Sequence, residues 1–220
     1  MRGAWHQISG WLTPGVCVVL GLLTASFLAA FTGTLSAAYN LSALLGLNGP
    51  AFWHGRVWLA MTYVLVPAGV LDFLVNAAMI AWLGSFLECT WSRREFWSYC
   101  LIVVLGGGLV KVCLQPFSAG VLTGATPLVF GLLAARVRLC GTEIGSLGLG
   151  FLPAMPIRRI FLLVAAISFA LLVASAGLLN AIIMLGGGAV GWFYLSLRWK
   201  FNLARRSRPV TSERMSRLEL

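Results

Sequence analysis

Long unbroken apolar runs divide this chain into six stretches, near 15–38, 69–87, 96–115, 124–140, 158–176 and 178–197. Each comes close to the roughly 20 apolar residues that a helix needs to cross a bilayer. Barrel strands alternate apolar with polar positions and these runs do not, so the pattern predicts helices. The expected fold is therefore an all-α polytopic membrane protein with six transmembrane helices. One stretch departs from the pattern. Residues 39–68 are apolar and aromatic but interrupted by Gly and Pro, and they carry Phe52-Trp53-His54-Gly55-Arg56-Val57-Trp58-Leu59 and then Met61-Thr62-Tyr63. Trp and Tyr favour the head-group zone, so this long connection is expected to lie half-sunk in the outer leaflet. The first run resembles a secretory signal, with Arg2 ahead of it and Leu35-Ser36-Ala37-Ala38 like a cleavage site. Its apolar core is too long for one, and it is expected to be retained as a span.

Composition agrees with the pattern. Of the 220 residues 60% are apolar and 10% charged, and the mean hydropathy is +0.92, which leaves too little polar surface for a water-soluble globule. Charge adds an orientation. Of the 16 Lys and Arg residues all but Arg56 and Lys111 fall on one side of a six-span arrangement: Arg2, Arg93, Arg94, Arg136, Arg138, Arg158, Arg159 and the tail from Arg198 through Arg217. The positive-inside rule then places both termini in the cytoplasm. The net charge of +10 is accounted for by topology and by attraction to anionic lipid, so no nucleic-acid partner is expected. Three segments are anticipated: a cytoplasmic N-terminus over 1–14, the membrane domain over 15–197 and a basic tail over 198–220. The expected location is a bacterial inner (plasma) membrane.

Candidate chemistry is sparse. Cys17, Cys89, Cys100, Cys113 and Cys140 lie in or at the ends of apolar runs with no Cys-x-x-Cys pair, so they read as small buried apolar residues rather than a disulfide framework or zinc site. Cys89 and Cys140, near the cytoplasmic face, are alternatively sites of acylation. The two histidines, His6 and His54, are too few and too scattered to hold a metal. No metal and no cofactor are expected. Two charges inside the runs are more informative, because ionisable groups are costly in a membrane. Asp72 and Lys111 lie at comparable depth near the outer ends of the second and third spans, which suggests an ion pair; the alternative is a snorkelling Lys111 and a hydrated or protonated Asp72.

A six-span bundle with a long interfacial first loop resembles the rhomboid family of intramembrane serine proteases, over most of the chain from Leu45 to Trp199. The resemblance is carried by Gly55-Arg56-Val57-Trp58, Thr62-Tyr63, Asn76, Gly84 with Glu88, Gly124-Ala125-Thr126-Pro127-Leu128-Val129-Phe130-Gly131, Pro156-Ile157-Arg158, and Gly187 with Gly191. It implies a catalytic turn opening the fourth helix, a base on the sixth and an oxyanion site on the second. This chain departs from the family at all three. The nucleophilic serine is replaced by Thr126, and Pro127 follows it, removing a backbone N–H. The sixth-helix histidine is replaced by Met184, which cannot accept a proton. The oxyanion pattern reads Asp72-Phe73-Leu74-Val75-Asn76, with an acid in place of the family's histidine beside the retained Asn76. A Thr126–Lys111 dyad is the one catalytic rescue that can be constructed.

Losing one member of a nucleophile–base pair costs about 10⁴ to 10⁶ in rate, and an oxyanion donor a further ~10² to 10³. No catalytic residue is therefore expected, and the resemblance implies a pseudoprotease: a membrane module that binds transmembrane segments of client proteins, as inactive rhomboid relatives such as derlins and iRhoms are thought to do. The alternative is an intramembrane serine-type endopeptidase of unusual chemistry, and a third reading is a structural subunit of a larger membrane complex. The small residues Gly124 and Gly131 of the fourth helix, with Gly187 and Gly191 of the sixth, are expected to let those two helices approach closely.

Overall fold

The computed structural model describes residues 13–36, 41–140, 144–145, 155–156 and 177–206, with positions 159, 162, 165–167, 170 and 173. Helix α1 spans Pro14–Ser36 and begins on a proline, whose missing N–H is no loss in the first turn. The interfacial stretch then forms three short helices, α2 (Leu41–Leu45), α3 (Gly49–Trp53) and α4 (Leu59–Thr62), and a 3₁₀ turn at Tyr63–Leu65. Asn48 caps α3 by accepting from the Ala51 N–H at 2.8 Å. Helices α5 (Val70–Thr90) and α6 (Arg93–Leu114) are joined by a tight turn. There Ser92 and Glu95 form a capping box, each side chain accepting from the other's backbone N–H. Helix α7 (Thr126–Cys140) follows, then a two-residue antiparallel pairing of β1 (Ile144–Gly145) with β2 (Met155–Pro156), and finally α8 (Leu178–Arg206). That pairing was not anticipated.

Four of these helices are long and apolar enough to cross a membrane: α1, α5, α6 and α8, over Pro14–Thr32, Val70–Thr90, Arg93–Leu114 and Leu178–Arg198. The run expected at 124–140 is instead a 15-residue helix, roughly 22 Å long at 1.5 Å per residue. It is the centre of the bundle, packed on α5, α6 and α8, with Leu128, Val129, Phe130, Leu132, Leu133 and Ala135 all buried. Enclosed this way, α7 does not need to match the lipid thickness itself. The stretch expected at 158–176 lies largely outside the described residues; its described positions are helical.

Lipid is as apolar as leucine, so burial alone does not hold such helices together; close approach and internal hydrogen bonds do. The Tyr99 hydroxyl of α6 donates to the Gly131 carbonyl of α7 at 2.6 Å, and the Tyr63 hydroxyl donates to the Val104 carbonyl of α6 at 2.9 Å. At Gly187 of α8 an added Cβ would fall well inside contact distance of the Pro127 carbonyl. Gly191 and Gly131 serve a different contact from the one expected. Gly191 faces Tyr99 and Val103, and Gly131 faces Val103, so both admit α6 rather than bringing α7 to α8. Residues four apart differ by about 40° around a helix axis, enough to turn Gly191 from α7 toward α6.

At one end of the bundle, called here the loop end, residues 41–65 are strapped to the connection between α6 and α7. Leu47 and Leu122 exchange backbone hydrogen bonds of 3.0 and 2.7 Å, and the Gly124 N–H donates to the Tyr63 carbonyl at 3.2 Å. The strap buries Leu47, Leu59 and Tyr63 and leaves Trp53, Val57, Trp58 and Met61 exposed. The opposite, arginine end carries Arg93, Arg94 and Arg198, and there Glu88 joins α5 to α1. Its carboxylate accepts from the Thr13 hydroxyl at 2.5 Å and from the Gly15 and Val16 N–H groups at 2.9 Å each, with Arg93 Nε at 4.0 Å. An acid from another helix thus caps the N-terminus of α1, where unpaired N–H groups and the helix dipole both favour negative charge.

Gly21, in the middle of α1, has no such neighbour: nothing lies within 4 Å of an added Cβ. Gly21→Ala is expected to leave the fold intact and raise its stability by about 0.5–1 kcal/mol through helix propensity. Thermal unfolding of the full chain in detergent checks it.

Candidate functional site

The polar residues singled out from the sequence meet at the loop end, where α5 begins beside the N-terminus of α7. Asp72 and Asn76 are four apart on α5 and so project from one face. The Asn76 amide donates to Asp72 Oδ1 at 2.8 Å and to Thr126 Oγ1 at 3.4 Å, and the Thr126 hydroxyl donates to the same Asp72 oxygen at 3.4 Å. Asp72 Oδ2 accepts from the Ala68 N–H at 3.1 Å. Both carboxyl oxygens are thus acceptors and neither is placed as a donor. Gly124, with φ +101°, turns the chain into α7, and an added Cβ there would sit 3.1 Å from Asp72 Oδ2. Glycine is needed at this position both for the left-handed backbone and for the closeness of the acid.

The remaining members of the expected site divide. Pro127 is buried in the first turn of α7, lacks an N–H, and has its carbonyl against Gly187. Met184 is half-buried in the apolar core, one turn before Gly187 on α8. The Asp72–Lys111 ion pair is not formed. Lys111 is buried at 3% exposure, and its ammonium donates to Gln115 of its own helix. Matching depth along two helices does not by itself make side chains meet, and here Asp72 is engaged by Asn76 and Thr126 while Lys111 is engaged with Gln115. For the same reason Lys111 does not reach Thr126 as a base.

Chemically, the cluster brings together a hydroxyl, an amide and a carboxyl group. The Thr126 hydroxyl donates to Asp72 at the outer limit of hydrogen-bond length, and a carboxyl group is a weak base for an alcohol. Where an oxyanion would need donors, an acid stands. A groove of about 630 Å³ between α6 and α8, lined by Ile102, Leu105, Leu109, Cys113 and Val190 among others, shares no residue with the cluster and is apolar throughout. Among the described residues no group of His, Cys, Asp and Glu could hold a metal. Sequence reasoning gave no role to Glu88, whose signal was available as an acid within an apolar run, nor to the hydroxyls of Tyr63 and Tyr99, which in a run of apolar residues have to find a carbonyl.

A buried short helix packed on three of the four candidate spans, with a polar cluster at its head, fits an all-α integral membrane protein. The chain belongs to the family described as eukaryotic integral membrane protein (DUF1751), whose model matches residues 15–201. No curated relative matches it. The family corrects one expectation: its members are described as eukaryotic, which overturns a bacterial inner membrane, while integral membrane insertion stands. Hydropathy and arginine asymmetry report a bilayer and an orientation, and bacterial and eukaryotic membranes share both.

Proposed function

We propose that this protein is a rhomboid-like pseudoprotease, a non-catalytic membrane module that binds transmembrane segments of client proteins. In this reading residues 15–197 form a six-helix bundle in which the 158–176 stretch supplies a further span. The 41–65 strap lies in the non-cytoplasmic leaflet through Trp53 and Trp58, and both termini, with the basic tail 198–220, face the cytoplasm. The arginines gathered at the opposite end from the strap support that orientation.

The observation that carries the reading is the wiring of Thr126. Its hydroxyl lies between Asp72 and Asn76, Pro127 beside it has no N–H to offer, and Met184 occupies the place of a base. Hydrolysis would need a strong base, a donor free for the oxyanion and a free hydroxyl; here the Asn76 amide and the Thr126 hydroxyl are both engaged with Asp72, and a carboxyl group is a weak base for an alcohol. The bundle around it retains what binding requires: a rigid central helix and a large apolar surface, with Leu71, Leu74 and Val75 exposed along α5.

A fluorophosphonate probe applied to the full chain in detergent and in bilayers is expected to leave it unlabelled, alongside a serine rhomboid protease that labels fully. Covalent labelling that maps to Thr126 would overturn the reading.

A further inference from the structure

We infer that Asp72 marks a docking position for a basic side chain: the client is a transmembrane segment bearing one Lys or Arg near its loop-end terminus, and its cation completes the Asp72–Asn76–Thr126 cluster. The inference rests on the client-binding reading and adds the chemistry of the client.

Three observations support it. The first concerns charge balance. Three acids occur among the described residues, Asp72, Glu88 and Glu95. Glu88 has Arg93 at 4.0 Å and Glu95 has Arg198, so both acids at the arginine end have a cationic partner. Asp72, at the loop end, has neutral donors alone among the described residues: an amide, a hydroxyl and a backbone N–H. Of the described cations outside the arginine end, Lys111 donates to Gln115 and Arg56 stands exposed on the strap, and neither forms an ion pair with Asp72. An acid near the end of a membrane span, held by neutral groups and unmatched by charge, is the position a cation from outside the chain would occupy.

The second observation is the arrangement of the cluster. The two donors from Asn76 and Thr126 both fall on Oδ1, and among the described residues Oδ2 accepts from the Ala68 N–H. Carboxylate oxygens accept more than one bond each, and a lysine or arginine brings several donors. A charge-assisted bond here would be stronger than one in water, because the surroundings are of low dielectric.

The third is the surface beside it. Val70, Leu71, Leu74 and Val75 are exposed on the same helix. This is an apolar strip on which a client helix could lie with its basic residue level with Asp72. A small soluble cation would have no use for that strip, whereas a single-span segment would contact strip and acid together.

The test uses the full chain reconstituted in liposomes with synthetic single-span probes of about 20 Leu and Ala residues. One probe has a Lys near the loop-end terminus, one has Leu there, and one has the Lys at the other end. Binding is read by fluorescence transfer. The loop-end Lys probe is expected to bind about tenfold more tightly than the other two. Asp72→Asn should abolish that difference and Asp72→Glu should retain it, with unfolding temperature recorded for each variant. Equal binding of the Lys and Leu probes to the unaltered protein would overturn the inference while leaving client binding intact. No binding of any probe would count against both. Retention of the full preference in Asp72→Asn would also overturn it. A preference that disappears when phosphatidylethanolamine is included would assign the acid to a lipid amine instead.

Discussion

Replacing Glu88 with alanine is expected to destabilise the protein by about 3–5 kcal/mol, as breaking a buried charged network does. The carboxylate receives three hydrogen bonds at the start of α1, and its side chain is 5% exposed. Removing it leaves the Gly15 and Val16 N–H groups with no partner at a buried helix terminus, each an unpaired group costing about 1–3 kcal/mol. Thermal unfolding of the full chain in detergent gives the magnitude. Hydrogen exchange gives the location, since the amides of Gly15 and Val16 should lose protection before those further along α1. Glu88→Gln should fall between, because its amide retains one accepting oxygen and turns the other acceptor into a donor facing donors. An alanine variant as stable as the parent would mean that α1 is held by its apolar contacts alone.

Gly187→Ala should be of similar severity for a different reason. One methyl group is the smallest change available, yet it would meet the backbone of Pro127 rather than a side chain able to rotate away. Relief requires α7 and α8 to separate, which opens the contact at the centre of the bundle. Overpacking of this kind costs about 1–3 kcal/mol where side chains can adjust, and a backbone obstruction belongs at or above the top of that range. Gly21→Ala, the same substitution in an open position, serves as the internal control. If the two variants unfold at the same temperature, the close approach of α7 and α8 at Gly187 is not what holds them.

Apolar run length made the spanning helices legible, but hydropathy ends where lipid ends rather than where a helix ends. Helix α6 starts at Arg93, three residues before the expected 96, because the Ser92–Glu95 box begins the helix among charged residues. Helix α8 runs on to Arg206, past the expected 197, through residues too polar to be counted with its apolar run. The short helices α2, α3 and α4 had no periodicity long enough to read, and what holds them is a pairing between Leu47 and Leu122 that no local pattern announces.

The site was legible in part for an equally physical reason. Asp72 and Asn76 share a face by spacing alone, and the turn at Gly124 brings Thr126 to them. The Asp72–Lys111 pair failed because counting residues along a span gives depth but not the direction around the axis. Glu88 was seen as a residue without its role, since two of its three donors are backbone N–H groups more than 70 positions earlier, which no comparison of side chains reveals.

The strap at the loop end also sets an order of events during synthesis. Leu47 and Leu122 are about 75 residues apart, so at ~5–20 residues per second the first partner waits roughly 4–15 s for the second. Throughout that interval the local turns of 41–65 can form, but the Leu47 N–H and carbonyl lack the partner that the finished fold gives them. The strap is therefore fastened to the bundle only after the connection between α6 and α7 has been made.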